Sequence, residues 1–184
     1  GSLLGTSRNI LSDSASSSNM NFNTLIGISL NNASNYVFNN LTRYNFFKCQ
    51  FNKNQSGNGV FGGSFLVFDS CKFNNNGPTN YSCCGNVASF NDSVVIRNSY
   101  FTGNNSSNNA IFNFTNNNSA RAYAHIIENN MFIFNGSTTG NSNISLLSMN
   151  GSNGLVRNNI FTNNNISSIR INVNDWSNST INSN

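Results

Sequence analysis

A phenylalanine recurs along this chain in one local frame, at Phe51, Phe73, Phe101, Phe132 and Phe161, with spacings of 22, 28, 31 and 29 residues. Three residues after each anchor lies an asparagine: Asn54, Asn76, Asn104, Asn135 and Asn164. Five residues before it lies an apolar residue: Phe46, Phe68, Ile96, Ile127 and Val156. Self-similarity at a period of ~20 to 50 residues marks architectures in which each unit buries its apolar face on its neighbours. Two further columns keep the frame. Two residues before the anchor stand Cys49, Cys71, Ser99, Asn130 and Asn159, all small or amide-bearing. Four before it, after Phe47, stand Asp69, Arg97, Glu128 and Arg157, whose sign alternates from repeat to repeat. Stacked strands would set these charges side by side, about 4.8 Å apart. The resulting ladder of exposed pairs is worth under ~1 kcal/mol each, so the column matters as a sign of stacking.

A second apolar patch precedes each anchor, at Tyr36 to Phe38, Gly59 to Gly63, Asn86 to Phe90, Asn109 to Phe114 and Ser145 to Met149. Each repeat therefore offers two short strands, separated by Asn, Gly and Ser, which tolerate left-handed backbone conformations in turns. No sustained 3.6-residue period is present, and Asn, Ser and Gly are poor helix-interior residues. The pattern predicts an all-β chain, a parallel β-helix (solenoid) of about five to six coils with 22 to 31 residues per coil. The anchors would stack inside it, at about 2 to 3 kcal/mol per buried ring. An irregular antiparallel β-sandwich is the alternative, but it has no reason to keep five columns in register. The β-helix is expected over residues 21–184 as one domain, and residues 1–20 as a polar N-terminal extension or arm able to cover a neighbouring copy's strand edge.

Charged residues are 8% of the 184-residue chain against about 25% in ordinary soluble proteins. Amides and hydroxyls take their place, with 45 Asn and 39 Ser plus Thr. Such bias suits a disordered tract, yet 16 Phe argue for burial. The formal charge of +4 arises from scattered Lys and Arg without a cluster, which excludes phosphate-tracking contacts and so nucleic acid as partner. No apolar run reaches the ~18 residues of a membrane span, so membrane insertion by this segment is not expected. Gly1-Ser2 reads as a cloning scar or a processed terminus.

The F-x-x-N elements "FNKN", "FNNN", "FTGN", "FIFN" and "FTNN", from Phe51 to Asn164, resemble the repeat of chlamydial polymorphic outer-membrane proteins. That family alternates F-x-x-N with G-G-A-[ILV]; here "GNGVFGG", "CGNVASF" and "NNAIFNF" keep a small residue before the apolar pair, without the full second motif. The resemblance implies a right-handed extracellular β-helix, adhesive or structural, secreted or on a cell surface. It carries over no catalytic residue.

Four cysteines, Cys49, Cys71, Cys83 and Cys84, are disulfide candidates and leave three complete pairings open. Cys49 and Cys71 share one column, so a bridge between them is possible; as an alternative both are small buried fillers. Fourteen asparagines open N-x-[ST] triplets: Asn32, Asn40, Asn54, Asn80, Asn91, Asn104, Asn105, Asn113, Asn117, Asn135, Asn143, Asn150, Asn165 and Asn178. In a eukaryotic host several would carry glycans. Asn54, Asn104 and Asn135 belong to the F-x-x-N column, where a glycan requires exposure and an internal amide ladder forbids it. The sequence leaves both open.

β-helices that cleave polysaccharides need paired carboxylates or a calcium-binding acid cluster. The five acids here, Asp13, Asp69, Asp92, Glu128 and Asp175, are dispersed. Asp69 and Glu128 would lie two coils apart with Arg97 between them, paired to both and lowering their pKa values, the wrong direction for a general acid. His125, beside two isoleucines, reads as a packed or rim histidine. The column after the anchor, Asn52, Asn74, Thr102, Ile133 and Thr162, is too irregular for an ice-binding array. Catalytic, metal and cofactor sites are therefore not expected. The expected role is a non-enzymatic structural or adhesive surface glycoprotein, with other copies of itself, stacked end to end, or glycans as partners. The alternative is a carbohydrate-binding or carbohydrate-cleaving β-helix of the pectate-lyase-like type, with Tyr44, Tyr100, Phe134 and Trp176 as candidate sugar-stacking aromatics.

Overall fold

In the computed structural model the described residues are 2–4, 11–12, 22–33, 37–55, 61–77, 88–106, 110–115, 124–137, 145–150, 153–165 and 168–170. They contain strands and turns and no helix. All strand pairings among them are parallel, which removes the antiparallel sandwich.

One seven-stranded sheet runs in the order Ser2–Leu4, Ser29–Asn31, Gln50–Asn52, Lys72–Asn74, Tyr100–Thr102, Met131–Ile133 and Ile160–Thr162. Its central column joins Leu3, Leu30 and the five anchors without a register shift. Aligning on phenylalanine finds the last five members only. Leu30 and Leu3 hold the same register without a ring, so the repeat extends towards the N-terminus through residues that carry no aromatic mark.

The second sheet has ten strands and carries the other apolar patches: Phe38–Phe47, Phe61–Asp69, Ala88–Arg97, Ala110–Thr115 and Ser145–Asn150 lie side by side. Leu11–Ser12 pairs with the first of these, Leu11 beside Phe38. Residues 1–20, expected as an arm, thus supply a strand to each main sheet. In the first three repeats the patch and the residue five before the anchor belong to one long strand. Left-handed residues within it, Arg43 (φ 58°) and Phe65 (φ 53°), bend the first two. In the later repeats the two parts are separate strands, with Ala124–Glu128 beside Ala88–Arg97 and Asn153–Arg157 beside Ala124–Glu128. The longer spacings are absorbed between conserved registers rather than within them.

The corners repeat as regularly as the strands. Three residues before each anchor the backbone is left-handed, at Gly27, Lys48, Ser70, Asn98, Asn129 and Asn158. Two residues after it the backbone is left-handed again, at Asn32, Lys53, Asn75, Gly103, Phe134 and Asn163. The six three-residue strands of this sheet from Ser29–Asn31 onward are therefore each bracketed by two bends, and Asn or Gly, which enter this region most cheaply, fill eight of the twelve places. At Gly103 a Cβ would meet Asn75 Oδ1, so a larger residue there would displace the Asn75 side chain. Inter-repeat backbone bonds continue through the bends, as in Ser70 N to Arg97 O (3.1 Å) and Asn75 N to Thr102 O (2.9 Å).

Between the sheets the five anchors form one pile. Successive centroids lie 4.6, 4.6, 4.5 and 4.9 Å apart with interplanar angles of 16° or less. A second pile faces it: Phe46 stacks on Phe68 at 4.9 Å, and Ile96, Ile127 and Val156 continue it. Rings of the two piles meet edge to face, Phe46 with Phe51 at 5.6 Å and Phe68 with Phe73 at 5.4 Å, an arrangement that adds about 0.5 to 1.5 kcal/mol per pair beyond burial.

Candidate functional site

The columns that flank the anchor hold the polar chemistry, and the strand bends decide which face each one occupies. In the F-x-x-N column Asn54, Asn76, Asn104 and Asn135 are buried. Asn104 shows the pattern. Its Oδ1 accepts from the backbone N (3.1 Å) and Nδ2 (2.9 Å) of Asn76, while its Nδ2 donates to Phe73 O (2.9 Å) and Asn135 Oδ1 (2.9 Å). That is the full capacity of a carboxamide, two donors and two acceptor sites. The chain of amides runs on from Asn54 to Asn164, and Ala33 N closes its start by donating to Asn54 Oδ1 (2.9 Å). The ladder lies inside. Asn54, Asn104 and Asn135 are therefore corrected as glycosylation candidates, because a glycan on Nδ2 would remove the donor that ties adjacent repeats.

Of the other sequon asparagines, Asn32 and Asn165 are exposed, and Asn105 and Asn113 are half-buried. Asn40, Asn91 and Asn150 lie in strands, their side chains outside the described set. Asn80, Asn117, Asn143 and Asn178 lie outside the described residues, as do Cys83, Cys84 and Trp176.

The column two before the anchor is a second internal ladder whose chemistry changes along the stack. Asn159 Nδ2 donates to Ile127 O (2.8 Å) and Asn130 Nδ2 to Ile96 O (2.9 Å). Asn130 N and Nδ2 both reach Asn159 Oδ1, Ser99 N reaches Asn130 Oδ1, and Cys71 N reaches Ser99 Oγ. In the earlier repeats thiols hold the column, with Cys71 Sγ 3.3 Å from Phe46 O and Cys49 Sγ 3.4 Å from Leu25 O. Both cysteines are buried and free. The neighbouring Cys49 side chain and burial raise the Cys71 thiol above its ordinary value.

The charge column lies outside. Arg97 Nε sits 2.8 Å from Asp69 Oδ2, and Arg157 Nη2 sits 2.6 Å from Glu128 Oε2. Glu128 and Arg97 are neighbours in register, yet among the described residues the ion pairs are these two, each arginine reaching back one repeat. The continuous ladder expected from the sequence resolves into pairs. Arg97 is committed to Asp69, so the picture of one guanidinium bridging both acids is corrected. Burial pushes the Asp69 carboxyl up, but hydrogen bonds from Asn98, Ser70 and Arg97 and the Arg97 charge outweigh it and hold the group below its ordinary value. That state suits an ion pair and opposes proton donation.

Among the described residues no three of His, Cys, Asp and Glu come together as a metal set. His125 is buried, with its ring 5.2 Å from that of Phe114. The outer side of the seven-stranded sheet is one described surface open to recognition. The residues before the anchors are Gln50, Lys72, Tyr100, Met131 and Ile160, and those after are Asn52, Asn74, Thr102, Ile133 and Thr162, none of them buried. The polar end carries its own amide row, Asn74 to Asn52 to Asn31, at 2.9 and 2.8 Å. The other end is apolar and is flanked by Phe134, 62% exposed in a left-handed corner. This gradient was readable from the aligned columns but not from residue type, since which side faces out follows from the bends. Tyr44 is half-buried, its ring 6.1 Å from that of Phe46, so it packs against the core; Tyr100 and Phe134 occupy the outer face.

These features define a class, an all-β protein of parallel strands stacked in register over aromatic piles and amide ladders. In comparisons with known proteins, no family model, no curated protein and no solved structure matches the chain.

Proposed function

We propose that the chain is a right-handed parallel β-helix that acts as a non-enzymatic extracellular scaffold, structural or adhesive, in the manner of the F-x-x-N repeat proteins it resembles. The observation that carries the reading is the Asp69 and Glu128 geometry. Each of these carboxylates is spent on the arginine one repeat ahead, and the inward amides of the F-x-x-N column spend their hydrogen bonds on one another. Side chains so committed serve cohesion along the stack, and the outer sheet face is what such a scaffold presents. Neighbouring copies stacking end to end is part of the same reading, because an unpaired parallel strand edge accepts a further strand. The test is a product assay on plant and bacterial polysaccharides run beside light scattering across a concentration series. Absence of turnover with concentration-dependent association is expected; turnover overturns the reading.

The exposed Phe134 favours one second reading, a carbohydrate-binding face. A phenylalanine held at φ 54° is conformationally costly, and such strain is often retained at binding sites. Loss of glycan-array binding in Phe134→Asn would support it.

A further inference from the structure

We propose that Cys49 and Cys71 form a redox lock, a pair of thiols that closes to a disulfide between adjacent repeats of the stack. Three observations carry it, none of which depends on the scaffold reading above. The first is register. Phe47 pairs with Asp69 and Gln50 with Lys72, so Cys49 and Cys71 face one another across the repeat, and Lys72 N donates to Cys49 O at 2.9 Å. Neighbours in parallel register lie about 4.8 Å apart, within the roughly 4.4 to 6.8 Å between Cα atoms that a disulfide spans.

The second is direction. Cys71 Sγ lies 3.3 Å from Phe46 O, in the repeat that contains Cys49, and Cys49 Sγ lies 3.4 Å from Leu25 O one repeat earlier, so both thiols lie in one column and lean the same way along the stack, Cys71 towards the repeat of Cys49. Either thiol can attack first, with the other as the resolving sulfur.

The third is residue choice. Asn130 and Asn159 donate to the carbonyl five before the previous anchor at 2.9 and 2.8 Å, while Ser99 turns to Arg97 O. A thiol is a weak donor, so the contacts of Cys49 and Cys71 with the same carbonyl position do not by themselves explain the choice of cysteine. Sulfur in two successive repeats is explained by a bond that asparagine cannot make. It would rivet the part of the stack that holds Phe46, Phe51, Phe68 and Phe73.

The chemistry is thiol–disulfide exchange with a small disulfide, RS–SR, as oxidant. The thiolate of one cysteine attacks one sulfur and expels RS⁻. The other cysteine loses its proton and attacks the protein sulfur of the mixed disulfide, expelling the second RS⁻. Two protein thiols are oxidised, one external disulfide is reduced, and the two protons pass to the two released thiolates.

The experiment refolds the full chain in oxidised glutathione, blocks remaining thiols in denaturant, and maps tryptic peptides without reduction. Cleavage at Lys48, Lys53, Lys72 and Arg97 places Cys49 in peptide 49–53, Cys71 in 54–72 and the other two cysteines in 73–97. A 49–53 to 54–72 crosslink is expected, with the folding equilibrium on the order of a hundredfold more favourable than in the reduced chain. The double variant Cys49→Ser/Cys71→Ser should fold, since Ser99 occupies the same column, and should show no oxidant-dependent gain. Blocked Cys49 and Cys71, a crosslink to 73–97, or an equal gain in the double variant would overturn the proposal.

Discussion

Asn76 and Asn104 lie 28 residues apart in sequence and are joined by a 2.9 Å hydrogen bond between their side-chain amides, while the backbone N of Asn76 donates to the same Oδ1 at 3.1 Å. The side chain of one repeat thus replaces the missing backbone partner at a bend of the preceding one. This lets the strands stop after three residues without leaving buried polar groups unpaired.

Removing such an amide from the middle of the stack should cost more than removing it from the end. Asn104→Ala strands the backbone N and one Nδ2 hydrogen of Asn76 and the Phe73 carbonyl, while Asn135 Oδ1 keeps the backbone N of residue 104, so a loss of at least about 3 kcal/mol is expected from unpaired buried groups. Asn164→Ala, at a half-buried position, should lose less than half as much. Paired urea denaturation curves check this.

The anchor column should accept leucine and reject alanine. Leu30 already holds that register beside Phe51. Phe101→Leu should cost under about 2 kcal/mol and Phe101→Ala about 3 to 5 kcal/mol, because alanine leaves a cavity between Phe73 and Phe132. Equal losses for the two variants would mean that the pile is not continuous.

Acid should weaken the stack through Asp69. Its folded pKa lies below the ordinary value, so its contribution is present above the unfolded carboxylate pKa of about 3.9 and is lost as pH falls through the folded value. Between neutral pH and pH ~2 the wild type should therefore lose stability more steeply than Asp69→Asn, with the difference confined to the region below about pH 4. Arg157→Ala, which breaks a more exposed pair, should cost less than ~1 kcal/mol, and that loss should fade in high salt.

In a host that attaches glycans to asparagine, folded material should carry none at Asn54, Asn104 or Asn135, and Asn32 and Asn165 should be the receptive sites among the described sequons. Peptide mapping with and without glycosidase treatment reads this out. A glycan on Asn104 in a natively folded chain would contradict the ladder.

Relieving the strained corner should stabilise the protein. Asn75 and Asn163 fill the same left-handed column as Phe134, so Phe134→Asn should gain up to about 1 kcal/mol by thermal or urea unfolding.

Stacking was legible in the amino-acid order because it demands the same kind of residue at the same place in every repeat. The Phe and Asn columns, the apolar column at Phe46 to Val156 and the alternating charges could be aligned without coordinates. The first two strands of the seven-stranded sheet escaped because Leu3 and Leu30 meet the same demand without a ring. What the order of residues could not determine is sidedness. Whether Asn104 points to solvent or into the stack, whether Arg97 serves Asp69 or Glu128, and whether Met131 and Ile160 face out all turn on two left-handed bends per repeat. Lys48, Ser70, Lys53 and Phe134 occupy those bends, and none of these residue types announces one. Such bends are held by hydrogen bonds to the neighbouring repeat rather than by their own side chains, so only the assembled tertiary structure decides them.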